Sequence, residues 1–436
     1  MVRLIALLGT SFLLSKWAFA FQLDQTKPHV EDELIVSFDN NISQVEQNRV
    51  IEAIGGDIVH RFKFSPSVLV RVSDSFGFME TAEALRSDSS VAQVGLNRIF
   101  SIQTETDDPK IDKQYHHELI DTFGAWSTST GSHEVTVAVI DTGIDYTHPD
   151  IAGNSWTNPG ESGFDEDGND KRSNGIDDDG NGYVDDFRGW DFVNNDNDPM
   201  DDHSHGTHCA GSIGALGNNG KGISGVNWSV GLVGLKFLSR SGRGTLAGAI
   251  EAIEYSVMMG FDITNNSWGG EADSLTGTEN DPLKAAIKAT TEAGQLFIAA
   301  AGNNGRNTDE KKIYPASYDL DNIISVAAGD KNDNLANFSN FGPETVDLMA
   351  PGAAIFSTSI KSFWGEPYKT LSGTSMAAPM VAGAAALVKA HVGDITALDI
   401  KDSILESVDE IDGIVSKVGS SGRLNVARAL EMSQYR

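Results

Sequence analysis

The chain carries a single cysteine, Cys209, so no internal disulfide can form and stability has to come from packing or bound ions. Basic residues are scarce as well: 32 Lys and Arg stand against 62 Asp and Glu, a formal net charge of −30. That balance argues against nucleic acid or an anionic membrane as partner and suits solubility in salty surroundings or bound divalent cations. Long apolar runs are missing too. Leu4–Leu14 is too short to span a bilayer, and no later stretch reads as a span. With Arg3 before it and Ala18-Phe19-Ala20 after it, residues 1–20 read instead as a secretory signal. The mature protein is therefore expected to be soluble, exported and monomeric. There is no repeat array or low-complexity tail, so no third domain is expected.

What is present falls into two parts. In residues 21–105, Glu33–Phe38, Ile58–Phe64, Val68–Val72 and Val91–Ile99 read as strands. Ser43-Gln44-Val45-Glu46 is a capping box opening one helix, stopped at Gly55-Gly56, and Met79–Arg86 is a second. The order β-α-β-β-α-β predicts a small α+β ferredoxin-like domain. The polar segment Ser101–Asp112 reads as a junction. From Ala125 onward apolar strands alternate with amphipathic helices. The strands are Val135–Ile140, Gly231–Phe237, Asp262–Asn266, Leu296–Ala301 and Ile323–Ala327; the helices are His205–Leu216, Thr245–Met259, Pro282–Ala293 and Ser375–Ala390. Such alternation predicts an α/β fold, a doubly wound parallel sheet, over residues 106–436. Thr396 should cap a further helix, and Arg423–Leu430 reads as another.

Three blocks stand out. Leu371-Ser-Gly-Thr-Ser375-Met-Ala-Ala-Pro-Met380 places a serine at a helix start, where it would ordinarily be only an N-cap. Val135–Ile140 ends in Asp141, and His205-Gly-Thr-His208-Cys209-Ala-Gly211 is a turn leading into a helix. A carboxylate, an imidazole and a hydroxyl at element ends are the parts of a charge-assisted nucleophile. The blocks, in the order Asp, His, Ser, resemble those of the subtilisin-like serine peptidases, and the order excludes the α/β-hydrolases, where serine comes first.

The resemblance implies a serine endopeptidase with Ser375 as nucleophile, His205 as general base and Asp141 as its orienting carboxylate, while His208 is structural. Ala299-Ala300-Ala301-Gly302-Asn303 matches the family's oxyanion motif, so Asn303 is expected to donate its side-chain amide beside the Ser375 backbone N–H. Asn266-Ser267-Trp268-Gly269-Gly270 resembles the substrate-binding segment. Ser267, Trp268 and Gly269, with Ala301 and Gly302, are expected to wall the pocket, and their lack of charge predicts apolar or aromatic side chains before the cut. Residues 21–105 resemble the family's propeptide, an intramolecular inhibitor and folding assistant. A parallel sheet closes long loops before contacts reward it, which gives such a helper a physical purpose.

Between the Asp and His blocks, Glu161–Asp202 holds fifteen acidic residues against Lys171, Arg172 and Arg188. Asp177, Asp179 and Asn181 fall at positions 1, 3 and 5 of a calcium-loop spacing with Gly182 at 6, which points to calcium. Position 12 is Arg188, so Tyr183, Asp185 and Asp186 are the expected remaining ligands. Cys209, one helical turn after His205, reads as a small buried packing residue. Two other readings remain on the same scaffold: a catalytically dead binder, and a calcium-dependent extracellular adhesion protein in which the acidic loop is the functional part.

Overall fold

The structure, a computed structural model, describes residues 29–39, 41–72, 77–99, 106–271, 276–278, 280–360 and 365–436. The expected signal segment, residues 1–20, and the first part of the expected junction, residues 101–105, lie outside the described residues. The chain divides into two compact units, Met1–Phe100 and Ser101–Arg436.

In the first unit, β1 (His29–Phe38), α1 (Gln44–Ala53), β2 (Gly56–Arg61), β3 (Ser67–Val72), α2 (Phe78–Ser87) and β4 (Val91–Arg98) form an antiparallel sheet in the order β2-β3-β1-β4. This is the expected ferredoxin-like arrangement. Leu34, Val36 and Phe38 alternate onto the helix side with Val68, Val70, Ile51 and Leu85, which makes its small core. Ser43 caps α1 through the Glu46 N–H at 3.3 Å. Glu46 turns forward to Arg49 rather than back, so only half of the capping box forms.

The second unit runs through α3 (Tyr115–Leu119), α4 (Thr122–Trp126), β5 (Gly131–Asp141), β6 (Gly189–Asp191), α5 (His205–Gly214), β7 (Ser229–Lys236), α6 (Leu246–Met258) and β8 (Ile263–Asn266). It continues with β9 (Gly270–Glu271), α7 (Pro282–Glu292), β10 (Leu296–Ala300), β11 (Ile313–Tyr314), β12 (Ile323–Gly329), β13 (Leu348–Pro351) and the hairpin β14 (Ile355–Thr358) and β15 (Tyr368–Leu371). Helix α8 (Thr374–Val392), α9 (Ala397–Glu406), β16 (Asp409–Glu410), β17 (Gly422–Arg423) and α10 (Val426–Ser433) close it. The main sheet has the order β16-β17-β13-β12-β10-β8-β5-β7-β6, parallel except for the edge pair β16-β17.

Strand β5 shows why helices cover both faces. Val137 and Val139 join α5, α8 and α10 in one core, while Ala138 and Ile140 join α6 and α7 in the other. From β5 the chain adds β6 and β7 on one side, then crosses to β8 and β10 on the other. The gap at such a switch point, outside the carboxyl ends of the strands, is where open sheets bind ligands. Asp141, Asn266 and Ala300 end the strands at that gap.

Helix α8 corrects one expectation. It is long and apolar enough to cross a membrane, which the sequence reading did not recognise, yet 72% of the relevant window is buried in the fold. Its apolarity serves a core helix packed along the sheet. Arg423 likewise ends β17 rather than opening a helix; its guanidinium meets Asp333 at 2.6 Å, and Asn425 caps α10 instead.

Candidate active site

Asp141 is fully buried at the end of β5. It accepts the Thr142 N–H at 2.7 Å and lies 2.8 and 3.0 Å from His205 Nδ1 through its two carboxylate oxygens. An anion is tolerated at that depth only because donors converge on it. Gly206 lets α5 come this close, since a Cβ there would lie 2.1 Å from the Gly143 carbonyl and 3.2 Å from the Asp141 Cβ. Burial by itself would lower the His205 pKa. The Asp141 charge and hydrogen bond, with Asp201 behind them, outweigh burial and a nearby Lys369, and the imidazole ends above its ordinary 6.5.

Ser375 sits in the first turn of α8. Four residues on, Pro379 has no N–H to give back, so the Ser375 carbonyl is left out of the helix ladder. It accepts instead from Ser267 Oγ at 2.9 Å and from Cys209 Sγ at 3.3 Å. These bonds fasten the serine helix to the segment after β8 and to α5, one turn beyond His205. Cys209 Sγ in turn lies within 4.8 Å of ligand atoms on both Asp141 and His205. The Ser375 hydroxyl itself donates to the Ser267 carbonyl at 2.9 Å. Among the described residues it makes no bond to His205, so the expected serine–imidazole contact is absent from this arrangement. Catalytic hydrogen bonds often tighten only when substrate is present.

Asn303 Oδ1 accepts the Thr374 N–H at 2.8 Å and the Thr374 hydroxyl at 3.1 Å. A backbone N–H must meet oxygen, so the amide is turned with its Nδ2 donors outward. A Cβ placed on Gly373 would lie 3.5 Å from Asn303 Nδ2 and 3.6 Å from the Ser375 N. The two donors therefore face one small space that glycine leaves open. A cavity of about 310 Å³ adjoins it, lined by Trp268, Gly269, Gly302, Ile313 and Ser375. It shares Trp268–Glu271 with a cleft of about 600 Å³ that His205, Ser267, Phe237 and Leu246 line.

Two sequence expectations about these walls need correction. Ala301 packs into the core with Ala327 and Val346; side chains alternate along an extended segment, so Ala300 lines the cavity in its place. The walls also carry a charge, Glu271, whose carboxylate pairs with Arg306 at 3.0 Å and Lys311 at 3.1 Å. Sequence reasoning missed Ile313 as well, because the short β9–β11 pairing brings it in from far along the chain.

The acidic stretch folds differently from a calcium-binding hand. Asp177 and Asp179 gather with Glu161, their oxygens within 4.8 Å of one another. Glu161 is fully buried with Oε2 unpartnered, and its pKa is pushed up to about 7 by burial, with Asp186, Asp178 and Asp179 adding to the rise. Asp177 holds the loop by accepting the Gly180, Asn181 and Gly182 N–H groups at 2.7–3.1 Å. The other expected ligands are engaged within the protein, Asn181 by donating its amide to Asp179 and Asp186. Asp185 turns to the Gly175 N–H, the Tyr183 ring packs on Trp190 and Tyr255, and Asp186 is buried against Asn158, Asn181 and Tyr255. An all-oxygen cluster around a buried, unsatisfied carboxylate fits a hard cation. Glu161 lies outside the spaced motif, so only its density of neighbouring acids could have flagged it.

Residues 132–426 match the sequence profile described as the subtilase family. The chain belongs to the subtilase family. Residues 16–97 match the fervidolysin N-terminal prodomain, so this subtilase is a serine-type endopeptidase in zymogen form. Relatives extend over most of its length. The thermophilic serine proteinase of Bacillus sp. (strain AK1) is 33% identical over 92% of this chain and 88% of its own. Thermitase of Thermoactinomyces vulgaris is 33% identical over 73% and 96%, and halolysin of Haloferax mediterranei is 34% identical over 92% and 70%.

The charge balance at His205 gives a direct test. NMR titration of the subtilase should find this imidazole protonating above 6.5, and Asp141→Asn should bring the midpoint down. A wild-type midpoint below 6.5 would mean that burial, not Asp141, dominates.

Proposed function

We propose that Ser375, His205 and Asp141 form the catalytic triad of a secreted preproenzyme. Residues 1–20 are its signal, 21–105 its propeptide and 106–436 its catalytic domain. The observation that carries this reading is the buried Asp141 bonded to the cleft-lining His205 at the same sheet rim as the Ser375 and Asn303 donors. When substrate enters, the Ser375 hydroxyl exchanges the Ser267 carbonyl for His205 Nε2. Its oxygen attacks the scissile carbonyl as His205 takes the proton, and Asp141 stabilises the imidazolium. Asn303 Nδ2 and the Ser375 N–H hold the oxyanion. In a subtilisin, removing such a side-chain donor cost about 10²–10³ in turnover. His205 then protonates the leaving amine, and water repeats the steps to release the acyl group from Ser375.

The Trp268, Ala300 and Ile313 side chains in the cavity beside Ser375, with Glu271 paired to Arg306 and Lys311 at its wall, support a preference for apolar or aromatic side chains before the cut. Calcium is assigned to Glu161, Asp177 and Asp179, where it would neutralise carboxylates that now repel one another and so brace the loop leading to His205. Its contribution is to stability, and no chemical step passes through it.

Ser375→Ala expressed beside wild type should keep its propeptide and cleave no unfolded protein, whereas wild type removes its propeptide, cleaves the substrate and is blocked by a serine-directed phosphonylating reagent. An equally active variant would end the triad assignment. A peptide library should be cut after apolar or aromatic residues; cuts clustered after charged residues would overturn the pocket reading. Chelation should lower the melting temperature, since an ion at about 100-fold its Kd adds about 2.7 kcal/mol, and Glu161→Gln should shrink that difference. An unchanged melting curve removes the metal.

A further inference from the structure

Helix α5 begins with an unusual cap. Ser204, its N-cap residue, has φ 85°, a left-handed conformation, and its side chain makes no capping bond. The first backbone N–H groups of a helix nevertheless need acceptors. Gly206 N–H goes to Thr142 Oγ1 at 2.9 Å, and Thr207 N–H goes to Asp201 Oδ2 at 3.0 Å. Asp201 does more than cap. Its Oδ1 accepts from Thr142 Oγ1 at 2.9 Å, from the His203 N–H at 2.8 Å and from the Ser204 N–H at 3.0 Å, and its Oδ2 also accepts the Thr207 hydroxyl at 2.6 Å. Only 4% of Asp201 is exposed. One buried carboxylate thus joins the residue after Asp141 to the turn and first residues of the helix carrying His205.

We propose that Asp201 is a positioning residue for the peptidase reaction: it locks the end of β5 to the start of α5, so that the Asp141 and His205 side chains meet in register. This rests on the triad reading above. The mechanism is geometric, because a small displacement of a base from its proton donor lowers turnover steeply. It is also electrostatic. Burial lowers the His205 affinity for protons, Asp141 on β5 and Asp201 raise it, and Lys369 on β15 opposes them. His203, His208, Cys209 and, on β7, Lys236 are further titratable neighbours, Lys236 donating to the Thr142 carbonyl and to Asp202; His208 is held neutral by burial, and burial pushes the Cys209 thiol up.

The test is steady-state kinetics on processed enzyme with a peptide substrate, across pH. Asp201→Asn should lower kcat by about 10- to 100-fold with KM nearly unchanged. The acid limb of its kcat profile should move to lower pH, because a negative charge near His205 is gone. A merely structural loss would lower the active fraction without moving that limb. Thr207→Val, which removes one Asp201 partner and keeps the charge, should lower kcat more modestly and leave the limb in place. Folded Asp201→Asn with wild-type kcat and an unmoved limb overturns the proposal. Should that variant not accumulate folded, wild-type kcat in Thr207→Val overturns it instead. Failure of the triad reading would look different: Ser375→Ala would then retain wild-type activity whatever Asp201→Asn does.

Discussion

A single buried anion sets the terms for this site. Asp141 has no solvent to stabilise its charge, and leaving it without donors would cost several kcal/mol. The Thr142 N–H and the His205 ring provide them, which requires the end of β5 and the start of α5 to meet at van der Waals distance. Glycine at 206 and the hydroxyl of Thr142 follow from that approach. So does the sheet, because β5 lies between β7 and β8 at the point where the winding changes direction. The Asp141–His205 hydrogen bond is thus both a consequence of the topology and the reason that the loop residues around it have little freedom to change.

The second constraint is a missing hydrogen bond. Pro379 would ordinarily kink or break a helix by withholding an N–H. Here the freed Ser375 carbonyl is satisfied from outside, by Ser267 and Cys209. One defect in α8 therefore cross-links three elements around the serine, and it explains why an inert thiol stands beside Asp141 and His205. Cys209 is small, buried and a donor, and these suffice for its place.

Much of this was legible in the chain. Buried parallel strands read as continuous apolar runs, and Thr396 shows the cap expected of it, accepting the Asp399 N–H at 3.1 Å. Short-range motifs singled out Asp141, His205 and Ser375 because each sits at the end of a regular element. What escaped depends on distant partners. Strand β13 is four residues long and the β14–β15 hairpin is polar on one strand, so neither gives a period. Ala301 was placed on a wall because motif membership says nothing about which way an alternate side chain faces. The Ser375 hydroxyl found a backbone carbonyl, which no residue pattern can announce.

The long connection from β5 to α5 joins these observations. It leaves the sheet at Asp141, makes the acidic loop, returns briefly as β6 beside β7, and ends at Asp201 under the His205 helix. A segment of that length carries little intrinsic order, and its carboxylates repel one another. Backbone N–H groups answer part of that charge: three on Asp177, and four N–H or O–H donors besides the Thr142 hydroxyl on Asp201. The buried oxygen of Glu161 is left without an answer. The two ends of the segment thus differ in kind. At the His205 end the Asp201 carboxylate is held by donors supplied by the protein itself, whereas at the Glu161 end a buried carboxylate oxygen has no partner. The proposed cation site and the proposed base therefore draw on opposite ends of one stretch of chain, each with its own set of contacts.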